Sequence, residues 1–145
     1  SGFNAPAERA AIDRLSALFE AHGAEMDRLG VGAGYMFLLV GSTGFLIEPC
    51  FYWPDEQWEI HEHFIEPAHF AKLKGFPKNP EARALVEKLR MAVIDVFGEV
   101  GGIHFQIGRT YPLKDRSDPK AWALLQAVKA ELDPKGLMNP GAFGL

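Results

Sequence analysis

Between residues 6 and 22 the apolar positions recur at helical spacing. Ile12, Leu15 and Phe19 share one face, with Arg9, Asp13, Arg14 and Glu20 elsewhere on the wheel. Gly23 reads as the stop, residues 24–29 remain helix-compatible, and Gly30-Val31-Gly32-Ala33-Gly34 is too glycine-rich for a regular element. No strand precedes those glycines and no long helix follows, so they do not form a nucleotide-binding loop. The pattern then changes to continuous apolar runs over residues 35–40 and 45–53, separated by Gly41-Ser42-Thr43-Gly44, which predicts a β-hairpin. Both runs are apolar on both faces, the pattern of covered strands. In the second run Leu46, Glu48, Cys50 and Tyr52 point one way, and Phe45, Ile47, Phe51 and Trp53 the other.

Helical spacing returns at Trp58, His61, Phe64 and Ile65, up to Pro67. Asn79 as N-cap and Pro80 at the first helical position open a long helix. Its apolar face is Ala82, Leu85, Val86, Leu89, Ala92, Val93, Val96 and Phe97, and Gly98 is the expected stop. A short alternating strand is predicted over residues 103–107, with Ile103, Phe105 and Ile107 inward and His104 and Gln106 outward. Asp118 and Pro119 start the last helix, whose inward face is Trp122, Leu125, Val128 and Leu132. The sum is an α+β fold: an antiparallel sheet with helices packed on one face, then a C-terminal helix and tail.

Composition narrows the class. The chain has 145 residues, 48% apolar and 23% charged, with a formal net charge of −4, so neither nucleic acid nor an anionic membrane is an electrostatic partner. One cysteine, Cys50, excludes an internal disulfide and fits a cytoplasmic protein. No apolar run reaches membrane-spanning length. The chain opens on Ser1-Gly2-Phe3-Asn4 just before a helix, which reads as a piece of something larger.

Two places carry candidate chemistry. Glu48 is a carboxylate in an apolar strand, where burial would demand a partner. The other is the polar strand face His104 and Gln106, followed by Gly108-Arg109-Thr110-Tyr111. Glycine admits a ligand to the backbone, arginine offers a planar fork to a carboxylate, and histidine and tyrosine can move or hold a proton. The alternative is an edge strand whose polar face meets solvent. His61, His63 and His69 are poorly spaced for one metal ion.

The C-terminal tail alternates breaks and apolar residues: Leu132-Asp133-Pro134-Lys135-Gly136-Leu137-Met138-Asn139-Pro140-Gly141. Read alone, it is a clamp that packs down rather than frays. It also resembles the closing signature of the FAD-linked oxidases, the family of D-lactate dehydrogenase, the glycolate oxidase flavin subunit and the vanillyl-alcohol oxidase type. Gly101-Gly102-Ile103-His104-Phe105-Gln106-Ile107-Gly108-Arg109 resembles that family's stretch before the last helix. His104 stands where the metal-dependent branch has glutamate and Phe105 where it has histidine. Residues 43–48 lack the histidines of that branch's second metal motif, so no metal is expected.

The resemblance implies a ferredoxin-like cap domain, with residues 1–112 belonging to it and 113–145 forming the helix and tail that pack toward an FAD-binding domain. FAD would be held mainly by that other domain, and the chain alone is expected to be inactive. The substrate implied is a 2-hydroxy acid such as D-lactate or glycolate. A phenol, as in the vanillyl-alcohol branch, is the alternative. The residues so implied are His104 and Tyr111 as catalytic, with Arg109, Gln106, Glu48 and Tyr52 as substrate-binding. Asn139, Pro140 and Gly141 would face the cofactor. A rival reading is a non-catalytic module in which the hairpin, Trp53, Trp58 and Trp122 serve packing or formation of a homodimer.

Overall fold

The computed structural model describes residues 5–41, 44–104 and 108–145. Among them are seven α-helices and one two-stranded antiparallel sheet, an α+β chain. The order is α1 (Ala5–Ala21), α2 (Gly23–Leu29), β1 (Gly32–Val40), β2 (Gly44–Tyr52), α3 (Glu59–Phe64), α4 (Pro67–Phe70), α5 (Pro80–Glu99), α6 (Leu113–Arg116) and α7 (Pro119–Leu132). The chain divides into two compact units, Ser1–Val96 and Phe97–Leu145.

In the first unit the core is helical wheel against hairpin. Leu15 and Leu89 are fully shielded, and Met26, Val31, Ala82, Leu85 and Val86 cluster with Leu89. Leu18, Phe19 and Phe51 pack against that cluster, which seats α1 and α5 on the hairpin. Phe19 meets Phe51 edge-on with ring centroids 5.6 Å apart and tilts against Tyr35 at 5.8 Å. The expected apolar face of α5 is the buried one, extended by Ile94. Asn79 caps it as expected, its Oδ1 accepting the Ala82 N–H at 3.1 Å.

A carboxylate-centred knot holds the passage from β2 to α5. Asp55 accepts from the Trp53 indole, the backbone N–H of Glu56 and of Asn79, and the Arg83 guanidinium. Arg83 also reaches Glu56 at 2.7 Å and lies over the Trp58 ring. The guanidinium, ahead of the backbone donors, holds the Asp55 carboxyl well below the usual range.

Two expectations change, and a third falls largely outside the described residues. The glycine-rich stretch is not irregular, because Gly32, Ala33 and Gly34 pair with Tyr52, Phe51 and Cys50 in β1. Gly30 caps α2 in the left-handed region (φ 69°), and Val31 then drops into the core and fixes the register. The strands are less covered than their composition suggests. From Met36 to Val40 every side chain is about half exposed or more, because the turn end of the hairpin runs beyond the helices that cover Tyr35 and Phe51. The third strand is not seen among the described residues: Ile103 and His104 lie in irregular chain, and residues 105–107 fall outside the description.

In the second unit α5 ends one residue past Gly98. The N–H of Gly102 bonds the Phe97 carbonyl at 2.7 Å and that of Gly101 (φ 75°) bonds Gly98, a left-handed helix stop. Asp118 caps α7 as expected, accepting from Lys120 and Ala121. Of the expected inward face of α7 only Trp122 is buried, and Leu125, Val128 and Leu132 are exposed. Periodicity tells which side of α7 is apolar, but among the described residues only Trp122 of that side is covered.

The tail is folded, not frayed. Asp133, the one buried charged residue among those described, accepts the N–H of Leu137 on one oxygen and that of Met138 on the other, both at 2.9 Å. Lys129, one helical turn earlier, donates to Asp133 and to the Met138 carbonyl. Gly136 (φ 62°) closes the turn onto the Asp133 carbonyl. Lys129 first, and then the two amides, pull the Asp133 carboxyl down to about 2.

Two measurements check this account. Leu89→Ala should cost about 2–5 kcal/mol by equilibrium urea unfolding of the 145-residue chain, whereas Leu39→Ala on the open strand end should stay within about 0.5 kcal/mol. The second concerns pH. The folded Asp133 holds its proton less tightly than an unfolded aspartate with pKa ~4, so its contribution is complete above that value. It is lost as pH falls toward about 2. The gap in melting temperature between the wild type and Asp133→Asn should therefore shrink as pH is lowered through that window.

Candidate functional site

The second unit gathers most of the residues singled out for chemistry. After the left-handed turn at Gly101 the chain runs irregularly through Ile103 to His104. The His104 ring lies against Tyr111, with centroids 4.7 Å apart and planes 30° from parallel. So the two expected catalytic side chains are neighbours. His104 Nε2 is shielded from solvent and has no hydrogen-bond partner among the described residues. Burial, and after it the positive charge of Arg116, lowers the His104 pKa below that of a free imidazole. Both effects favour the neutral imidazole, which can accept a proton on one nitrogen.

Arg109 stands on the loop between, exposed, and its Nη2 donates to the Pro140 carbonyl at 2.7 Å. The N–H of Phe143 adds a longer bond, 3.4 Å, to the Gly108 carbonyl. Thus the Gly108-Arg109 loop and the Asn139-Pro140-Gly141 turn, which the sequence marked separately, are bonded together. The turn is held open by Asn139 (φ 45°) and Gly141 (φ 77°), both left-handed. A side chain on Gly141 would first meet Arg109 Nε, at 3.8 Å.

Glu48 and Tyr52 belong to the first unit. Glu48 pairs with Met36 across the hairpin and is only half-buried. Tyr52 is exposed and lines an open cavity of about 400 Å³ with Trp53, Asp55 and His61. The two acids that line the cavity, Asp55 and Glu56, are both paired with Arg83. Gln106 lies outside the described residues. The histidines of α3 serve locally: His61 Nδ1 accepts the Trp58 N–H, and His63 Nδ1 bonds the Glu59 carbonyl. Among the described residues no cluster of three or more ligating side chains occurs, and no helix is long and apolar enough to cross a membrane.

Two contributors escaped the sequence reading. Arg116 bears on His104, and also donates to the Gly102 carbonyl at 3.2 Å. Asp133 with Lys129 shapes the tail, and here a signal was present: a lysine and an aspartate four apart in a last helical turn, followed by proline.

Just over half of the chain, residues 68–143, matches the family described as FAD linked oxidases, C-terminal domain. No curated protein and no solved structure matches significantly. The matched stretch runs from α4 through α5 to the tail, and includes His104, Arg109, Tyr111, Asp133 and the Asn139-Pro140-Gly141 turn. The chain therefore belongs to the C-terminal domain family of the FAD-linked oxidases.

Proposed function

We propose that this chain forms the substrate side of an FAD-dependent oxidoreductase acting on a small 2-hydroxy acid of the D-lactate or glycolate kind. The observation that carries the reading is the bond from Arg109 to the Pro140 carbonyl, which puts a cationic fork beside the turn expected to face the cofactor. One N–H is spent on that carbonyl, and the exposed guanidinium keeps others for a substrate carboxylate.

The residues present fit a flavin at its edge rather than at its pyrophosphate. The Asn139-Pro140-Gly141 turn is exposed and bare of bulky side chains, while the Gly141 N–H is already donated to the Leu145 carbonyl. Asn139, Pro140 and Gly141 would border the ring, and the phosphates would be held elsewhere. When bound, FAD supplies the two-electron acceptor for the substrate's α-hydrogen. His104 takes the hydroxyl proton at Nε2, which has no hydrogen-bond partner among the described residues and for which burial without one is otherwise a cost. Tyr111, tilted against the ring, fixes its orientation. Arg109 orients the acid through its carboxylate.

The partner is the flavin-binding part of the same enzyme. The apolar side chains left open on β1 and along α7 suit surfaces that close against further protein. In that assembly the hairpin belongs to a larger antiparallel cap-domain sheet of the ferredoxin-like type, and the tail packs toward the flavin.

Arg109→Lys in the full-length enzyme keeps the charge and loses the fork. Each charge-assisted hydrogen bond is worth about 1.5–3 kcal/mol, so kcat/KM for the 2-hydroxy acid should fall about 10- to 100-fold. The melting temperature should barely move, since Arg109 is exposed. Equal turnover with an unchanged melting curve would remove Arg109 from the site.

A further inference from the structure

We propose that Asp133 is a positioning residue for Arg109. It folds the turn that follows α7 into the one shape that presents the Pro140 carbonyl to the guanidinium. This rests on the reading of Arg109 as the substrate anchor.

Asp133 is buried, yet it touches nothing that the proposed reaction uses. Its two oxygens are divided between two successive backbone donors, the N–H groups of Leu137 and Met138. Lys129 closes the same loop from the other side, bonding Asp133 and the Met138 carbonyl at once. Both backbone polar groups of Met138 are thereby tied to the last turn of α7. The next residue, Asn139, is driven into the left-handed region (φ 45°), and the chain reverses so that the Pro140 carbonyl meets Arg109 Nη2 at 2.7 Å. Beyond it Ala142 N–H bonds the Asn139 carbonyl and Phe143 N–H the Gly108 carbonyl, which anchors the turn to the loop carrying Arg109.

The device is specific to a carboxylate. Two N–H groups arrive on two different oxygens, and an asparagine offers only one acceptor, turning an NH₂ toward the other donor. Asp133→Asn therefore changes almost no volume, yet it must release one of the two amides. Glutamate would carry the oxygens a methylene too far. Freed from its clamp, the tail no longer fixes the carbonyl, and Arg109 loses the contact that aims its remaining donors.

The test uses the full-length flavoenzyme and four versions besides wild type: Asp133→Asn, Lys129→Gln, Arg109→Lys and the double variant Asp133→Asn with Arg109→Lys. Amide hydrogen exchange is followed at residues 141–143 and at α5, alongside kcat and KM for D-lactate and glycolate. In Asp133→Asn, exchange at 141–143 should rise about ten-fold or more while α5 is unchanged, and kcat/KM should fall about ten-fold, chiefly through KM. Lys129→Gln, which keeps both amide bonds to Asp133, should show the same changes at about a third of the size or less, and serves if Asp133→Asn does not fold. The double variant should be no worse than Arg109→Lys alone, because both changes remove one function. Unchanged exchange at 141–143 would overturn the clamp. Effects that multiply in the double variant would overturn its action through Arg109. If Arg109→Lys alone turns over like wild type, it is the substrate-anchor reading that falls, and the exchange rates still decide the clamp.

Discussion

The first unit depends on how the chain leaves a strand and enters a helix without stranding its backbone donors. Asp55 solves this. Its carboxylate collects the N–H groups of Glu56 and Asn79, the Trp53 indole and the Arg83 fork, so the end of β2 and the start of α5 are tied at one point. Asn79 adds its own side chain, bonding the Pro54 carbonyl while capping α5. Once that corner is fixed, α5 lies where Leu85, Val86 and Leu89 meet Met26 and Val31, with Phe51 of the hairpin packed alongside. A carboxylate that accepts several hydrogen bonds in its ionised form is stabilised as the anion, which is the sense of its lowered pKa.

The same physics recurs in the second unit with a different outcome. Asp133 also gathers backbone N–H groups and one basic side chain, but it does so at a helix end with a short tail beyond it. There the result is the placement of one carbonyl, that of Pro140, against one guanidinium. The proposed chemistry lies next to this contact: a fork for a carboxylate, an imidazole lying against a phenol, and a glycine-bordered turn for the flavin edge. Family membership supplies the redox partner in outline. In the proposed reading the side chains add a means to hold and orient an acid.

Short-range features were legible from the sequence. The Asn79-Pro80 and Asp118-Pro119 starts were visible because a cap and its helix lie within four residues of each other. The hairpin was visible because two apolar runs flank one turn. Long-range features were not. The Asp55–Arg83 pair joins residues 28 apart and the Arg109–Pro140 bond residues 31 apart, and no periodicity reports such a meeting. Gly32 to Gly34 were misjudged because glycine propensity is local, whereas the strand is pinned by Val31 entering a core made elsewhere. Leu125, Val128 and Leu132 show the converse case. Amphipathy says which side of a helix is apolar, but not whether the neighbouring chain covers it. Of the candidate site, His104, Arg109, Tyr111 and the tail turn were legible as residues, and their contacts with one another were not.

The central claim is that an acid substrate and the flavin meet at the junction of the Arg109 loop and the tail. The most direct measurement is a crystal structure of the full-length, FAD-loaded enzyme with a 2-hydroxy acid bound. The account predicts the substrate carboxylate within hydrogen-bond distance, about 2.7–3.0 Å, of the Arg109 guanidinium, the substrate hydroxyl on His104, and Pro140-Gly141 against the isoalloxazine edge. A carboxylate held by other residues, with Arg109 turned to solvent and the tail remote from the ring, would contradict it.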